Sequence, residues 1–260
     1  MLTLDQIYQY FPPSLMTQNP KHLLVEYVQV ELLDSIYKQP LAKELSFIGG
    51  TASRIVYENN RFSEDLDFDN FGLSFDQFDS LFNEVIRDMK GKGFSVEFRL
   101  VEKGAWHCYC RFPQMLYQHG LSSNAQEKIL VSIDAERKER TYSPIEFTIN
   151  RFGVYRKILV APAPILLSQK LMTVLSRKRQ KGRDYYDVSF LLSHARPDMD
   201  YLRSVGKLDV DDLSAQLKAH FEHIDLNTMA NDVEPFLFNP LQKERVLSLP
   251  AYLEQIGLIR

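Results

Sequence analysis

The sequence predicts an α+β protein in two parts, a sheet-and-helix domain over residues 1–160 and a helical domain over residues 161–260. Three observations carry this expectation. Before residue 161, runs with a period of two alternate with runs of helical period. Beyond the stretch Ala161-Pro162-Ala163-Pro164 the period-two signal all but vanishes, and a Pro-rich break of this kind is a natural domain boundary. A chain of 260 residues is long for one domain and comfortable for two.

The elements follow in order. Residues 22–38 carry apolar groups at helical spacing and read as an amphipathic helix that Pro40 ends. Leu45, Phe47 and Ile48 mark a short buried strand running into Gly49-Gly50, after which Thr51 is expected to cap a helix reaching about Tyr57. Residues 66–68 read as a second strand, and residues 75–89 as a helix stopped by Lys90-Gly91-Lys92-Gly93. Strand-like runs follow at 94–101, 106–112, 128–135, 145–150 and 154–160. In the second half, residues 164–178, 183–193, 209–224 and 240–247 all look helical.

Bulk properties narrow the classes of function. The formal net charge is −3, so any nucleic-acid contact must come from a local basic patch rather than from the whole molecule. The two cysteines, Cys108 and Cys110, fall on one face of a strand and read as core residues; a zinc site needs two further ligands at a workable spacing. The start of the chain has neither the basic nor the apolar region of a signal peptide, and no uncharged apolar run approaches a membrane span. A cytoplasmic protein without membrane partners is the expectation.

The first chemical constellation joins Gly49-Gly50-Thr51 to Asp65-Leu66-Asp67-Phe68. A strand that turns through two glycines into a helix exposes backbone N–H groups that a phosphate can approach closely. Arg54 lies one turn into that helix. On an extended strand Asp65 and Asp67 share one face while Leu66 and Phe68 anchor the other. Two adjacent carboxylates resist joint ionisation unless a cation sits between them, and an all-oxygen donor set of this kind suits Mg²⁺ (or Mn²⁺) together with nucleotide phosphates. Alone, each half is common; together they place a phosphate cradle beside a metal site. A third carboxylate is expected on a neighbouring strand. In residues 129–134, Val131 and Ile133 point one way and Ser132 and Asp134 the other, which makes Asp134 the candidate and Glu136 the next choice. Its role is to complete the metal site and help deprotonate an acceptor hydroxyl.

The second constellation is helical. At 100° per residue Lys170 falls inside the apolar stripe of residues 164–178, between Leu166 and Val174, with Arg177 on the same ridge. A buried ammonium needs an anion, unless the side chain snorkels at the margin. On the next helix Asp184 and Asp187 share a face with Val188 and Leu191. Between the helices runs Arg177-Lys178-Arg179-Gln180-Lys181-Gly182-Arg183, the dense basic run that best suits a triphosphate or an RNA backbone.

Taken together, Phe47-Ile48-Gly49-Gly50-Thr51-Ala52-x-Arg54, Phe62-Ser63-Glu64-Asp65-Leu66-Asp67-Phe68, Lys170 and Arg183-Asp184-Tyr185-Tyr186-Asp187 resemble the AbiEii/AbiGii (MenT-like) toxin family of the DNA polymerase β-type nucleotidyltransferase superfamily. The resemblance covers about residues 22–193, and the C-terminal stretch beyond it has no such likeness. It implies a nucleotidyltransferase-type mixed sheet flanked by helices, followed by a helical domain. It also implies an NTP donor, transfer to an acceptor such as the 3′ end of tRNA, and a partner antitoxin. On this resemblance Asp65, Asp67 and Asp134 hold metal; Gly49, Gly50, Thr51, Arg54, Ser63, Lys170, Arg183, Asp184 and Asp187 serve the nucleotide. Lys170 also counts as catalytic, and Arg177, Lys178, Arg179 and Lys181 grip RNA. Two departures stand out: a longer spacing from the Gly-Gly turn to Asp65 than in many superfamily members, and Ser53 where the branch often has Leu. The rival readings are a non-catalytic module of the same fold, a protein-nucleotidylating enzyme, and a metal-dependent phosphohydrolase.

Overall fold

The computed structural model describes residues 1–260 and divides into two compact units. The first comprises Met1–Val56, Phe62–Glu139 and Pro144–Val160; the second comprises Tyr57–Arg61, Arg140–Ser143 and Ala161–Arg260.

The first unit is a seven-stranded mixed sheet with helices. Its strands are β1 (Leu45–Ile48), β2 (Leu66–Asn70), β3 (Glu97–Lys103), β4 (Ala105–Pro113), β5 (Lys128–Arg137), β6 (Ile145–Arg151) and β7 (Val154–Val160), in the spatial order β3-β4-β5-β2-β1-β7-β6. β2 pairs antiparallel with β1 and parallel with β5, and β1 meets β7 in parallel. The helices are α1 (Leu4–Tyr8), α2 (Pro13–Gln18), α3 (Pro20–Tyr37), α4 (Gly49–Tyr57), α5 (Phe75–Gly91) and α6 (Met115–Gln118).

On β4 and β5, side-chain alternation separates a core face from an open face. On β4, Trp106, Cys108, Cys110 and Phe112 are buried, whereas His107, Tyr109 and Arg111 are half-buried. The two thiols are core neighbours with their Sγ atoms 3.7 Å apart. Leu66 and Phe68 bury likewise, and Phe68 meets Phe47 with ring centroids 5.4 Å apart. The long helix α3 departs from the amphipathic expectation. It begins at Pro20, whose missing N–H is no loss at a first helical position, and it is buried on nearly every side. Its buried polar residues are therefore partnered: Gln29 Nε2 donates to the Ser63 carbonyl at 3.0 Å, and Ser35 Oγ donates to Asp88 Oδ2 at 2.6 Å.

The second unit is helical: α7 (Ala163–Ser176), α8 (Gly182–Leu191), α9 (Met199–Tyr201), α10 (Val210–His223), α11 (Leu226–Val233), α12 (Glu244–Leu247) and α13 (Leu249–Gln255). Tyr185, Tyr186, Val188 and Leu191 of α8 are buried, so this helix is the centre of the unit. Gly182 opens α8 where a Cβ would collide with the Met229 carbonyl of α11. The segment at 57–61 joins this unit through an Arg61–Leu237 bridge and a 3.0 Å hydrogen bond from the Phe238 N–H to the Asn60 carbonyl.

Candidate active site

In the first unit, β1 ends at Ile48 and Gly49 takes φ +79°, a left-handed conformation that glycine adopts without strain. The helix α4 starts at Gly49 itself, two residues earlier than the Thr51 cap expected from sequence. Thr51 is therefore inside the first turn and buried, and its hydroxyl donates to the Asp65 carbonyl instead of capping the helix by accepting from its first N–H groups. That bond ties the start of α4 to the segment carrying the acidic pair. A Cβ at Gly49 would collide with the Asp67 carboxylate, so the turn and the acid are in direct contact.

Asp65 is exposed just before β2, Leu66 is buried, Asp67 is half-buried and Phe68 is buried. Asp67 stands in register with Ile48 of β1 on one side and with Asp134 of β5 on the other. Asp134 in turn faces His107 of β4 across an antiparallel pair. His107 Nδ1 lies 2.7 Å from Asp134 Oδ1, and Ser132 Oγ donates to the same oxygen at 3.0 Å. His107 was not singled out from sequence. Its parity opposite Cys108 was readable, but its partner depends on strand pairing. Asp69, two residues beyond Asp67, is fully buried and ion-paired at 3.1 Å with Lys138, a structural arrangement. Glu136, the alternative third carboxylate, is exposed and also faces Lys138, at 3.3 Å.

The donor set fits Mg²⁺. Asp65, Asp67 and Asp134 offer only hard carboxylate oxygens, and none of the three is deeply buried. No three or more acidic, histidine or cysteine side chains converge into a ready-made cage. Mg²⁺ ordinarily takes one or two carboxylates and completes its shell with water and substrate phosphates, so such a cage is not required.

Arg54 has another partner within this unit. Its Nε and Nη2 bond Glu26 Oε2 and Oε1 at 2.9 and 3.2 Å, and Arg151 Nη2 lies 3.1 Å from the same carboxylate. All of Arg54 but its rim is buried, so its visible role is to pin α4 to α3. Ser63 supplies a backbone acceptor to Gln29 from the loop ahead of Asp65.

In the second unit Lys170 meets the anions that its burial requires. Its Nζ lies 2.9 Å from Asp184 Oδ1 and 2.9 Å from Asp187 Oδ2, so it is not a snorkelling lysine. Asp187 also accepts Arg61 Nε and Nη2 at 2.7 and 2.6 Å and Asn59 Nδ2 at 2.9 Å. Arg177 Nη1 reaches Asp184 Oδ2 at 3.2 Å. Three cations thus face two carboxylates. Burial, the largest influence, pushes the Asp187 carboxyl up, but Arg61 and then Lys170 overcome it and hold it at about 2. Burial likewise works against the Lys170 ammonium, and Asp187 and Asp184 leave its pKa above the usual lysine value.

The basic run divides. Arg177 pairs with Asp184, and Gln180 Nε2 donates to the Val174 and Arg177 carbonyls at 3.2 and 2.6 Å, folding the loop onto α7. Lys181 is exposed, while Arg183 stacks over the Phe236 ring at 4.4 Å. The first N–H of α8 already donates to Asp232 Oδ2 at 2.8 Å, so this helix start has its own carboxylate. Arg61 and Asn59 were missed from sequence. The one signal was a cation beside Asn59-Asn60 just ahead of the acidic motif.

A family model described as "Nucleotidyl transferase AbiEii toxin, Type IV TA system" matches residues 31–247. The match runs well past residue 193 and takes in most of the C-terminal region that had no likeness by inspection. Among solved structures, JHP933 from Helicobacter pylori aligns with a TM-score of 0.56 at 18% identity, covering 91% of each chain. A structure titled as a candidate nucleotidyltransferase from H. pylori aligns with a TM-score of 0.59 at 18% identity, covering 91% of this chain and 94% of that one. At that identity the likeness is one of fold. Among curated proteins none matches in sequence.

Proposed function

Because the chain belongs to the AbiEii nucleotidyl transferase toxin family, we propose that it transfers a nucleotide from an NTP to an acceptor hydroxyl with release of pyrophosphate, using Mg²⁺ or Mn²⁺ held by Asp65 and Asp67. The observation that carries this reading is the Asp67 carboxylate set against the Gly49 turn and in register with Asp134. Bound there, Mg²⁺ neutralises phosphate charge and lowers the barrier at the attacked phosphorus. The backbone N–H groups at the start of α4 receive the leaving phosphates. Thr51 acts through its hold on the Asp65 segment. Asp134, with Oδ1 engaged by His107 and Ser132, takes the acceptor proton on Oδ2. An acceptor hydroxyl and an in-line geometry separate this from simple phosphohydrolysis.

Lys170 and Arg183 are proposed to add positive charge for the triphosphate, with Asp184 and Asp187 orienting them. Lys170→Met tests this. The substitution leaves Arg61 and Arg177 against Asp184 and Asp187, two cations for two anions, so the variant is expected to fold with a near-native melting curve. Its transfer activity is expected to fall at least ten-fold. An unfolded Lys170→Met, or a folded one with full turnover, makes Lys170 a purely structural ion.

The acceptor is proposed to be RNA, most specifically the 3′ end of tRNA, in the cytoplasm where both substrates occur. No helix is long and apolar enough to cross a membrane. A cognate antitoxin is the protein partner that the family implies. Incubation with labelled NTPs, Mg²⁺ and total cellular RNA is expected to label RNA; label on protein alone makes the activity protein nucleotidylation, and no label makes the chain a non-catalytic module. Lys178, Arg179 and Lys181 are assigned to the RNA backbone, supported by Arg177. Neutralising those three lysine and arginine charges together is expected to weaken RNA binding and lower its salt slope by about three units while sparing NTP binding. Loss of NTP binding with RNA binding intact assigns the run to the triphosphate instead.

A further inference from the structure

The sheet has a direction that the carboxylates reveal. Reading from β1 to β3, the Gly49 turn comes first, then Asp67, then Asp134, then His107. In an in-line displacement the attacking and leaving oxygens lie on opposite sides of phosphorus. If the leaving phosphates lie at the Gly49 turn and the acceptor proton goes to Asp134, the acceptor arrives over β5, β4 and β3. That open face continues in two further cross-strand rows, Arg99–Tyr109–Ser132 and Glu97–Arg111–Leu130. His107 and Tyr109 present nearly parallel rings, 13° apart in plane with centroids at 6.1 Å. Arg99 is exposed, Arg111 is half-buried, and Leu130 is 51% exposed, a large apolar group left in solvent beside an aromatic pair. The acidic group in these rows, Glu97, is paired at 3.0 Å with Lys128, so the rows away from the catalytic carboxylates carry net positive charge.

Resting on the reading of an RNA acceptor, we propose that the open face of β3–β4–β5 is the platform for the single-stranded 3′ end of that RNA. Its last bases lie on His107, Tyr109 and Leu130, and its phosphates meet Arg99 and Arg111. Aromatic faces accept any base, and guanidinium groups match phosphates, so the platform suits an unpaired end rather than a duplex. His107 has a second part here as the positioning residue that holds Asp134 Oδ1.

The test measures KM for an RNA with an unpaired 3′ end, KM for NTP and kcat in the full chain. It uses wild type, Tyr109→Ala, Tyr109→Phe and the double variant Arg99→Gln/Arg111→Gln, with His107 left intact. Tyr109→Ala is expected to raise KM for RNA about ten-fold or more, with KM for NTP unchanged and Tyr109→Phe near wild type. The double arginine variant, whose side chains lie on the solvent side of the sheet, is expected to lower the salt slope of RNA binding by about two units. It serves as the second test if Tyr109→Ala is unstable. Unchanged RNA KM in Tyr109→Ala and an unchanged salt slope in the double variant overturn the platform while leaving the RNA acceptor standing. A wild-type protein that labels no RNA removes the acceptor reading itself, and the platform with it.

Discussion

Asp67→Ala is expected to abolish nucleotide transfer, with a loss of at least about a thousand-fold, while the chain remains folded; Asp65→Ala is expected to do the same. A thousand-fold corresponds to about 4 kcal/mol of transition-state stabilisation, within reach of a metal-held charge at a reacting phosphate. The strand is anchored from its apolar face. Asp65 is exposed, Asp67 is half-buried, and Leu66 and Phe68 supply the anchoring on the other face. Asp67 stands beside Asp134 in the neighbouring strand, so removing one like charge is expected to leave the melting temperature unchanged or higher. Asp69→Asn is the control two residues along: it breaks a buried ion pair with Lys138 and is expected to lower stability more than turnover. Pyrophosphate release in Mg²⁺, read beside a thermal melt, decides the matter. Near wild-type release from either Asp65→Ala or Asp67→Ala removes the metal assignment.

Asp187→Ala is expected to have the largest effect on stability. Its carboxylate accepts Arg61 through two bonds, Asn59 through a third and Lys170 through a fourth, and it is fully buried. Truncation leaves two buried cations with one fewer anion, a change that costs about 3–5 kcal/mol and lowers the melting temperature on the order of 10 °C. Lys170→Met is the mild counterpart, because it removes the surplus cation. The same carboxyl gives a pH test. The Asp187 carboxyl is held at about 2, below its ordinary value, so its stabilising effect is complete at neutral pH. That effect is lost as pH falls from about 4 toward 2. The difference in urea midpoint between wild type and Asp187→Asn is expected to narrow from pH 7 to pH 3 and further toward pH 2. Parallel midpoints across that range, or a melt of Asp187→Ala within a degree or two of wild type, rule out the network as the keystone of the second unit.

Much of this site was readable from local pattern. Strand parity put Asp67 and Asp134 on the side away from Leu66, Phe68, Val131 and Ile133, since side chains alternate whatever the strand pairs with. Helical periodicity put Lys170 among leucines, and the cost of a bare buried ammonium required an anion. Asp184 and Asp187 were the odd acids on an apolar face, and they are its partners. The Pro-rich break at 161–164 marks where strand pattern ends, because each element's period is a property of consecutive residues.

What tertiary structure alone decided concerns groups distant in sequence. Arg61 reaches Asp187 across 126 positions and Arg54 reaches Glu26 across 28, and no period connects either pair. Arg54 and Arg183 have neighbours that no local pattern announced, the Glu26 carboxylate for one and the Phe236 ring for the other. The first N–H of α8 finds its acceptor in Asp232 of α11, 50 positions away. Short helices such as Leu226–Val233 and Leu249–Gln255 span two turns or so, too few for a period to stand out, and they exist because packing stabilises them. Sequence thus determined which faces must be buried and which charges need partners. Only the fold decided which partners they found, because a charge is neutralised by whatever lies within a few ångströms, and chain distance does not measure that.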